Sequence, residues 1–209
     1  ITLVRDNGRM LPLRKVASVH NAALHPGGRQ DLHPILVVVI CDNVRAEDGH
    51  VLEREIHTRM PDAKIVYADP RGARGMTDDV LEAVDQARAV VVAVYIVPSA
   101  ARSRKVGRGE KHPASLPDST SALLDGILGR AREKTAVLAM GNPYLTDDFP
   151  AIQNYICTFS NVTVSEISAV RALFGEIPMA GQMPVNLASA RASSTRGSRP
   201  PQVANLKLP

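Results

Sequence analysis

The chain has 209 residues, enough for one large domain that buries a hydrophobic core without disulfide staples. Hydrophobic residues make up 44% and charged residues 22%, a globular composition that argues against wholesale disorder, and aromatic residues at 3% without Trp argue against an autonomous sugar-binding module. The net charge of +4 comes from a basic loop and a basic tail without interleaved aromatic residues, so we expect no nucleic-acid partner.

Residues 1–33 are predicted to form a leading segment. Residues 1–4 are strand-like, Asn7-Gly8 marks a turn, and Leu11-Pro12-Leu13 follows. Residues 14–33 are predicted to be irregular. The regular part of the chain therefore begins near residue 34.

Strands and helices are then predicted to alternate. Residues 35–41 form a continuous β-branched run, typical of a strand that is covered on both faces. A helix over 50–59 places Leu52, Ile56 and Met60 on one side. Further strands are predicted over 64–68, 89–97, 135–140 and 154–159, and further helices over 77–88 and 119–133.

The last predicted helix begins near Thr163. Thr163 and Glu166 have the spacing of a capping box, in which the hydroxyl and the carboxylate bind free amide groups reciprocally. An apolar stripe follows, and Gly175 is the expected helix cap because glycine enters the left-handed region without strain. Residues 188–209 are predicted to form an extended polar tail.

Helices between buried strands imply a mostly parallel sheet with helices on both faces. The predicted fold is α/β, a three-layer α/β/α sandwich over residues 34–187 with a flavodoxin-like sheet of five or more strands.

No motif for a cofactor or metal is found. The glycine-rich stretches lack dinucleotide and phosphate-loop spacing, the histidines lack zinc-site spacing, and no nucleophile elbow is present. We therefore expect no cofactor and no metal.

Cys41 and Cys157 lie in apolar runs and are predicted to be buried free thiols. No run of about 20 apolar residues predicts a membrane span, and the compartment stays undetermined.

The loop over residues 98–117 is the strongest functional candidate, because structureless loops of this length are usually lids or partner contacts. Its arginines Arg102, Arg104 and Arg108 are candidates for binding substrate. Glu110 and His112 are its only acid and its only histidine, and they are the catalytic candidates if the chain acts alone. Glycoside hydrolysis usually needs two carboxylates, so solvated loop charge is the alternative reading.

Four motifs occur in order along the chain: Leu11-Pro12-Leu13, Gly141-Asn142-Pro143-Tyr144, Ala172-Leu173-Phe174-Gly175 and Gly181-Gln182-Met183-Pro184-Val185. Together they resemble the second domain of family 3 glycoside hydrolases, most closely the β-N-acetylhexosaminidase-like members.

The resemblance implies that the chemistry lies in a barrel domain that precedes this one. That barrel carries the family's aspartate nucleophile and, in hexosaminidase-like members, the acid/base histidine. Glucosidase-like members place an acid/base glutamate where this chain has Val97-Pro98-Ser99, which has no carboxylate. We therefore expect a non-catalytic domain whose partners are the barrel and a carbohydrate substrate.

Two further expectations concern the chain as a whole. Because it begins at Ile1 and not at Met, we expect it to be a piece of a longer polypeptide. A stand-alone α/β interaction module and a small-ligand binding domain are the alternatives. A ligand-binding domain would be stabilised thermally by its metabolite.

Overall fold

A computed structural model describes residues 1–13, 33–95 and 115–185. In chain order the strands are β1 Thr2–Asp6, β2 His33–Ile40, β3 Lys64–Ala68, β4 Ala87–Tyr95, β5 Thr135–Met140 and β6 Asn154–Cys157. The helices are α1 His50–Arg59, α2 Ala73–Gln86, α3 Asp118–Ala131, the short α4 Leu145–Asp148 and α5 Thr163–Leu173.

The strands form one six-stranded sheet in the order β1-β6-β5-β4-β2-β3. All neighbours are parallel except β1, which pairs with β6 antiparallel at one edge. Without β1, the order of the parallel strands is that of the flavodoxin-like fold. The predicted α/β class and sheet type are confirmed.

Helices cover both faces of the sheet, and each face has its own hydrophobic core. One core joins α2 and α3 to the side chains of Leu36, Val38 and Val92, all fully buried. The other joins α1 and α5 to the alternate residues of the same strands. The β-branched runs are apolar at every position because both faces of the central strands are buried.

Several predicted boundaries agree with the structure. The helix at residues 50–59 and the strands at residues 64–68 and 135–140 have the predicted bounds, and Leu52, Ile56 and Met60 are buried. Both cysteines are free and buried. In the described ranges no helix is long and apolar enough to cross a membrane.

The prediction for α2 was wrong by four residues at its start. The helix begins at Ala73, not at Thr77, because the Asp69 carboxylate accepts the amide groups of Arg71 at 3.0 Å and of Gly72 at 2.7 Å. The helix ends at Gln86, because Ala87 is already extended and begins β4. The Asp69 side chain therefore helps to determine where α2 begins, although Asp69 is not part of the apolar stripe from which the helix was predicted.

The predicted capping box of α5 was also wrong. Val162 is the N-cap residue, no side chain caps this end of the helix, and the Glu166 carboxylate points to another helix. The strand before it ends at Cys157, and Phe159 has a positive φ of 58° that no strand accommodates.

The end of α5 follows its prediction. Gly175 has a φ of +70°, its amide donates to the Ala172 carbonyl at 2.9 Å, and the Glu176 amide donates to the Arg171 carbonyl at 2.8 Å. These two bonds satisfy carbonyl groups that the last turn leaves free, and they define a Schellman cap.

Candidate functional site

The carboxyl ends of β2 and β4 form the topological switch point of the sheet. The helix after β2 packs on one face, whereas the helices that connect β3 to β4 and β4 to β5 pack on the other. β2 and β4 lie side by side, with Ile40 opposite Val94. Open parallel sheets bind ligands in the crevice at this position.

Residues 41–49 connect β2 to α1 at this end of the sheet. The Asn43 side-chain oxygen accepts the Arg45 amide at 3.0 Å, which fixes a turn. Gly49 has a φ of +86°, and a Cβ atom there would lie 2.8 Å from Cγ1 of Val39. Only glycine fits this close approach, so the backbone reaches the start of α1 directly against β2.

Glu166 joins α5 to the amino end of α1. Its side chain is 3% exposed, and its oxygens accept the Gly49 amide at 3.2 Å and the Leu52 amide at 2.8 Å. These amide groups belong to the first turn of α1, which has no side-chain cap of its own. The carboxylate therefore acts as a cap supplied by a distant helix.

Tyr95 lies in the same interior region, at the end of β4. The residue is 2% exposed, and its hydroxyl has no hydrogen-bond partner in the part of the chain that the structure describes. Burial raises the pKa of the phenol, and the Glu166 carboxylate raises it further. Burial also raises the pKa of the neighbouring Asp48 carboxyl, with a contribution from Asp42.

A more exposed polar group lies where β3 meets α1. The Tyr67 hydroxyl donates to Oε2 of Glu53 at 2.7 Å and lies 3.3 Å from Nδ1 of His50. The His50 and Tyr67 rings are 5.4 Å apart. Burial and the Glu53 hydrogen bond raise the pKa of the Tyr67 phenol, so this tyrosine is a poor base at neutral pH.

Two described carboxylates near this edge, those of Glu166 and Asp69, bind backbone amide groups. Glu166 binds two amide groups, and Asp69 binds those of Arg71 and Gly72, which hold the pKa of the Asp69 carboxyl below its usual range. No described His, Cys, Asp and Glu residues form a group that could hold a metal ion.

The site residues predicted from the sequence lie outside the described residues. This applies to Arg102, Arg104, Arg108, Glu110 and His112, so these assignments stay predictions. The burial of the Glu166 carboxylate against α1 and of the Tyr95 hydroxyl was not predicted from the sequence. A usable signal was present for Glu166, since it lies four residues before Val170 and therefore continues the buried stripe of α5.

The leading segment contacts two of the later motifs quoted for the family resemblance. The Leu13 amide donates to the Leu173 carbonyl at 2.8 Å, and the Gly181 amide donates to the Ile1 carbonyl at 3.0 Å. An open groove of about 520 Å³ lies next to them, between β1 and the segment after α5. Its lining is mostly apolar, with the carboxylates of Asp6 and Glu176 as exceptions. The leading and closing motifs thus form one surface of the fold.

We expect both thiols to resist alkylation in the folded chain. Burial raises the pKa of Cys41 and of Cys157 to about 11, so almost no thiolate exists near pH 8. Because the pKa of both thiols is raised in the folded chain, their contribution to the free energy of unfolding is fully present below the ordinary pKa of 9.0. That contribution is lost as the pH rises through about 11. Iodoacetamide followed by mass spectrometry should find no adduct on the native chain and two after denaturation. Rapid labelling of the native chain would contradict the burial.

Comparison with known proteins gives a fold match without a sequence match. No protein-family model matches the sequence, and no curated protein is significantly similar to it. A fungal multi-domain GH3 β-N-acetylglucosaminidase matches with a TM-score of 0.61 and 18% identity, over 89% of this chain and 18% of its own. A family 3 β-N-acetylglucosaminidase from Paenibacillus sp. str. FPU-7 gives 0.59 and 17%, over 89% of this chain and 30% of its own.

A β-glucosidase from Listeria innocua also shares the fold, with a TM-score of 0.53 and 13% identity, over 84% of this chain and 24% of its own. The chain therefore spans less than a third of each of these enzymes. The expected resemblance is confirmed at the level of the fold, which is that of a partial domain of family 3 glycoside hydrolases.

Proposed function

We propose that this chain is the second, non-catalytic domain of a retaining family 3 glycoside hydrolase that removes β-linked N-acetylglucosamine or a related sugar. In this proposal a barrel domain of the same polypeptide carries out the two displacements through a glycosyl-enzyme intermediate. The α/β domain packs beside the barrel and borders its sugar cleft.

The observation that carries the proposal is the asymmetry of the fold match. Nearly the whole of this chain corresponds to a fraction of each enzyme, 89% against 18% and 30% for the two N-acetylglucosaminidases. Two buried carboxylates are compatible with a non-catalytic role, because Glu166 and Asp69 already bind backbone amide groups.

Two observations favour an N-acetylglucosaminidase over a β-glucosidase. The TM-scores of 0.61 and 0.59 for the N-acetylglucosaminidases exceed the 0.53 for the β-glucosidase. Val97-Pro98-Ser99, where the resemblance would place a glucosidase acid/base, has no carboxylate. The lack of a carboxylate at residues 97–99 is also compatible with a barrel domain that carries the acid/base residue itself.

Hydrolysis of a chromogenic β-N-acetylglucosaminide tests the proposal. We expect no activity from the chain alone and clear activity from a longer polypeptide that carries the upstream barrel, with the corresponding β-glucoside cleaved far more slowly. Activity of the chain alone would contradict the proposal and would direct attention to Glu110 and His112. Inactivity of both proteins on both substrates would favour the interaction-module or ligand-binding alternative.

We also expect the loop arginines to contribute to substrate binding in the longer enzyme. Replacing Arg102, Arg104 or Arg108 with glutamine should raise KM up to roughly tenfold with little change in kcat, because a lost charged hydrogen bond weakens binding by about 1.5 kcal/mol. Arg130→Gln is the matched control, since Arg130 of α3 pairs with Asp85 of α2 in an exposed salt bridge. Unchanged kinetics in all three loop variants would remove the loop from the substrate site.

A further inference from the structure

Strand β3 forms one edge of the sheet. In the described part of the chain it pairs with β2 alone, in an unbroken parallel register from Leu36 opposite Lys64 to Ile40 opposite Ala68. The other side of β3 therefore carries backbone donors and acceptors that no neighbouring described strand uses. Such an edge is a template for pairing with another chain.

The two edges of the sheet differ in how they are protected. The register of β1 is irregular between Leu3 and Arg5, and the Gly181 amide covers part of this edge by donating to the Ile1 carbonyl at 3.0 Å. Strand β3 has no bulge and no proline, and its one charged residue, Lys64, stands at its start. Bulges, prolines and charges are the usual devices that prevent pairing at an edge, so β3 is the edge that can pair.

The backbone geometry of β3 identifies the groups that point outward. The Ala68 carbonyl accepts the Cys41 amide at 3.1 Å, so the backbone groups of Ala68 point toward β2. Backbone groups alternate sides along a strand, so those of Val66 also point toward β2, whereas those of Ile65 and Tyr67 point to the open side. The open side thus offers one amide and one carbonyl group from each of these two residues.

These outward groups are complementary to a second copy of the same strand. When two copies of β3 lie antiparallel with Val66 opposite Val66, each Ile65 lies opposite Tyr67 of the other copy. Both are then hydrogen-bonded pairs, in which an amide and a carbonyl are exchanged in each direction. Shifting one copy by two residues leaves Ile65 or Tyr67 without a partner in β3, so only this register uses every outward group.

The side chains fit the same register. Ile65 and Tyr67 both pack partly against the core that joins α1 and α5, so they lie on one face of the sheet. In the paired strands each isoleucine then meets a tyrosine on that face, and pairs of a β-branched with an aromatic side chain stabilise antiparallel strands. The two contacts are related by symmetry, so both copies gain equally.

The charges near the ends of β3 also match. Lys64 comes opposite Ala68 and not opposite a second lysine, so no like charges meet. Beyond the strand, the exposed Asp62 of one copy approaches the exposed Arg71 of the other. Opposite charges therefore face each other at both ends of the pairing, which favours this orientation.

We propose that β3 is the interface through which two copies of this chain pair antiparallel and join their sheets into one. The interface is symmetric, because each copy contributes the same residues. It uses the β3 edge of both copies, so pairing stops at a dimer. The inference does not depend on the proposed glycosidase function.

Sedimentation equilibrium of the 209-residue chain tests the proposal. We expect the average mass to rise with concentration from that of one chain to that of two, and no further. Ile65→Pro should raise the dissociation constant of the dimer at least about tenfold, because it removes an outward amide but no hydrogen bond to β2. Ile65→Val is the matched control, since it keeps the amide and the branched side chain, and it should change the dissociation constant less than about threefold.

Disulfide cross-linking tests the register. Val66 lies on the two-fold axis of the dimer, in a non-hydrogen-bonded pair whose Cα atoms are about 4.5 Å apart. That separation permits a disulfide, so Val66→Cys should form a covalent dimer with copper phenanthroline and air as the oxidant. Ile65→Cys has Tyr67 opposite it and should cross-link far more slowly. The two native thiols are buried and do not compete.

The proposal is overturned if the chain stays monomeric up to about 1 mM. It is equally overturned if a folded Ile65→Pro chain dimerises as tightly as the unmodified chain. If circular dichroism shows that Ile65→Pro does not fold, the cross-linking decides alone. Cross-linking of Ile65→Cys as fast as that of Val66→Cys would overturn the register and, with it, the proposal.

Discussion

Asn154→Asp is expected to lower the free energy of unfolding by about 4 kcal/mol at neutral pH, because an uncompensated charge is left buried. Asn154 is 0% exposed, and its Nδ2 donates to the carbonyl groups of Glu133 at 3.2 Å and Thr135 at 3.0 Å. Its Oδ1 accepts the Gly8 amide at 2.9 Å. Aspartate keeps the oxygen that accepts the Gly8 amide, but it places a second carboxylate oxygen where the Nδ2 donor was, facing two carbonyl oxygens.

The loss should depend on pH in a defined direction. Burial and the two carbonyl groups would raise the folded-state pKa of the new carboxyl above its unfolded value of about 3.9. The deficit relative to the unmodified chain is therefore full at neutral pH and shrinks as the pH falls through the folded-state pKa. Urea unfolding of both proteins across this range measures it.

Asn43→Asp is the matched control for this substitution. Asn43 is exposed and uses its side-chain oxygen as an acceptor, a role that aspartate fills equally well. We expect a change within about 0.5 kcal/mol and little pH dependence. Equal effects of the two substitutions would mean that the Asn154 side chain does not hold the leading turn, β5 and β6 together.

Gly175→Ala is expected to destabilise the chain by about 3 kcal/mol, from the left-handed backbone and from overpacking. The φ of +70° is strained for any residue with a Cβ atom. A Cβ atom there would also lie 2.8 Å from Cβ and 2.9 Å from Cγ of Pro12. The proline ring cannot turn away, and the neighbouring Leu13 amide is bound to α5.

Gly129→Ala provides a control with the opposite sign. Gly129 lies in α3, and a Cβ atom there meets nothing within 4 Å. Alanine should stabilise this position by about 0.5–1 kcal/mol, since glycine loses more backbone freedom on folding. Thermal or urea unfolding of both variants decides the point. A Gly175→Ala chain as stable as Gly129→Ala would show that the segment after α5 does not pack against Pro12.

The sequence predicted most of the fold because its signals are local. Helix α1 and strands β3 and β5 were placed at their observed bounds from periodicity and β-branched runs alone. The fold class followed from their alternation. The errors occurred where a side chain outside the periodic pattern decides an end, as Asp69 does for α2.

The candidate site was predicted less completely than the fold. The sequence pointed to the loop over residues 98–117, most of which lie outside the described residues. It assigned Glu166 to a local capping box, a plausible reading because Thr163 has the right spacing. The structure assigns the same carboxylate to Gly49 and Leu52. Local spacing cannot distinguish these two uses of one side chain.

The sequence by itself thus determined the α/β class, the core-facing side of α1, the burial of both cysteines and the glycine cap at Gly175. These properties depend on hydrophobic periodicity and on backbone freedom, which neighbouring residues encode. Only the tertiary structure decided the strand order, the antiparallel addition of β1 and the partnership of Glu166 with α1. These depend on hydrogen bonds between groups far apart in the chain, more than a hundred residues for β1 with β6 and for Glu166 with α1, which form only when the packed sheet brings them together.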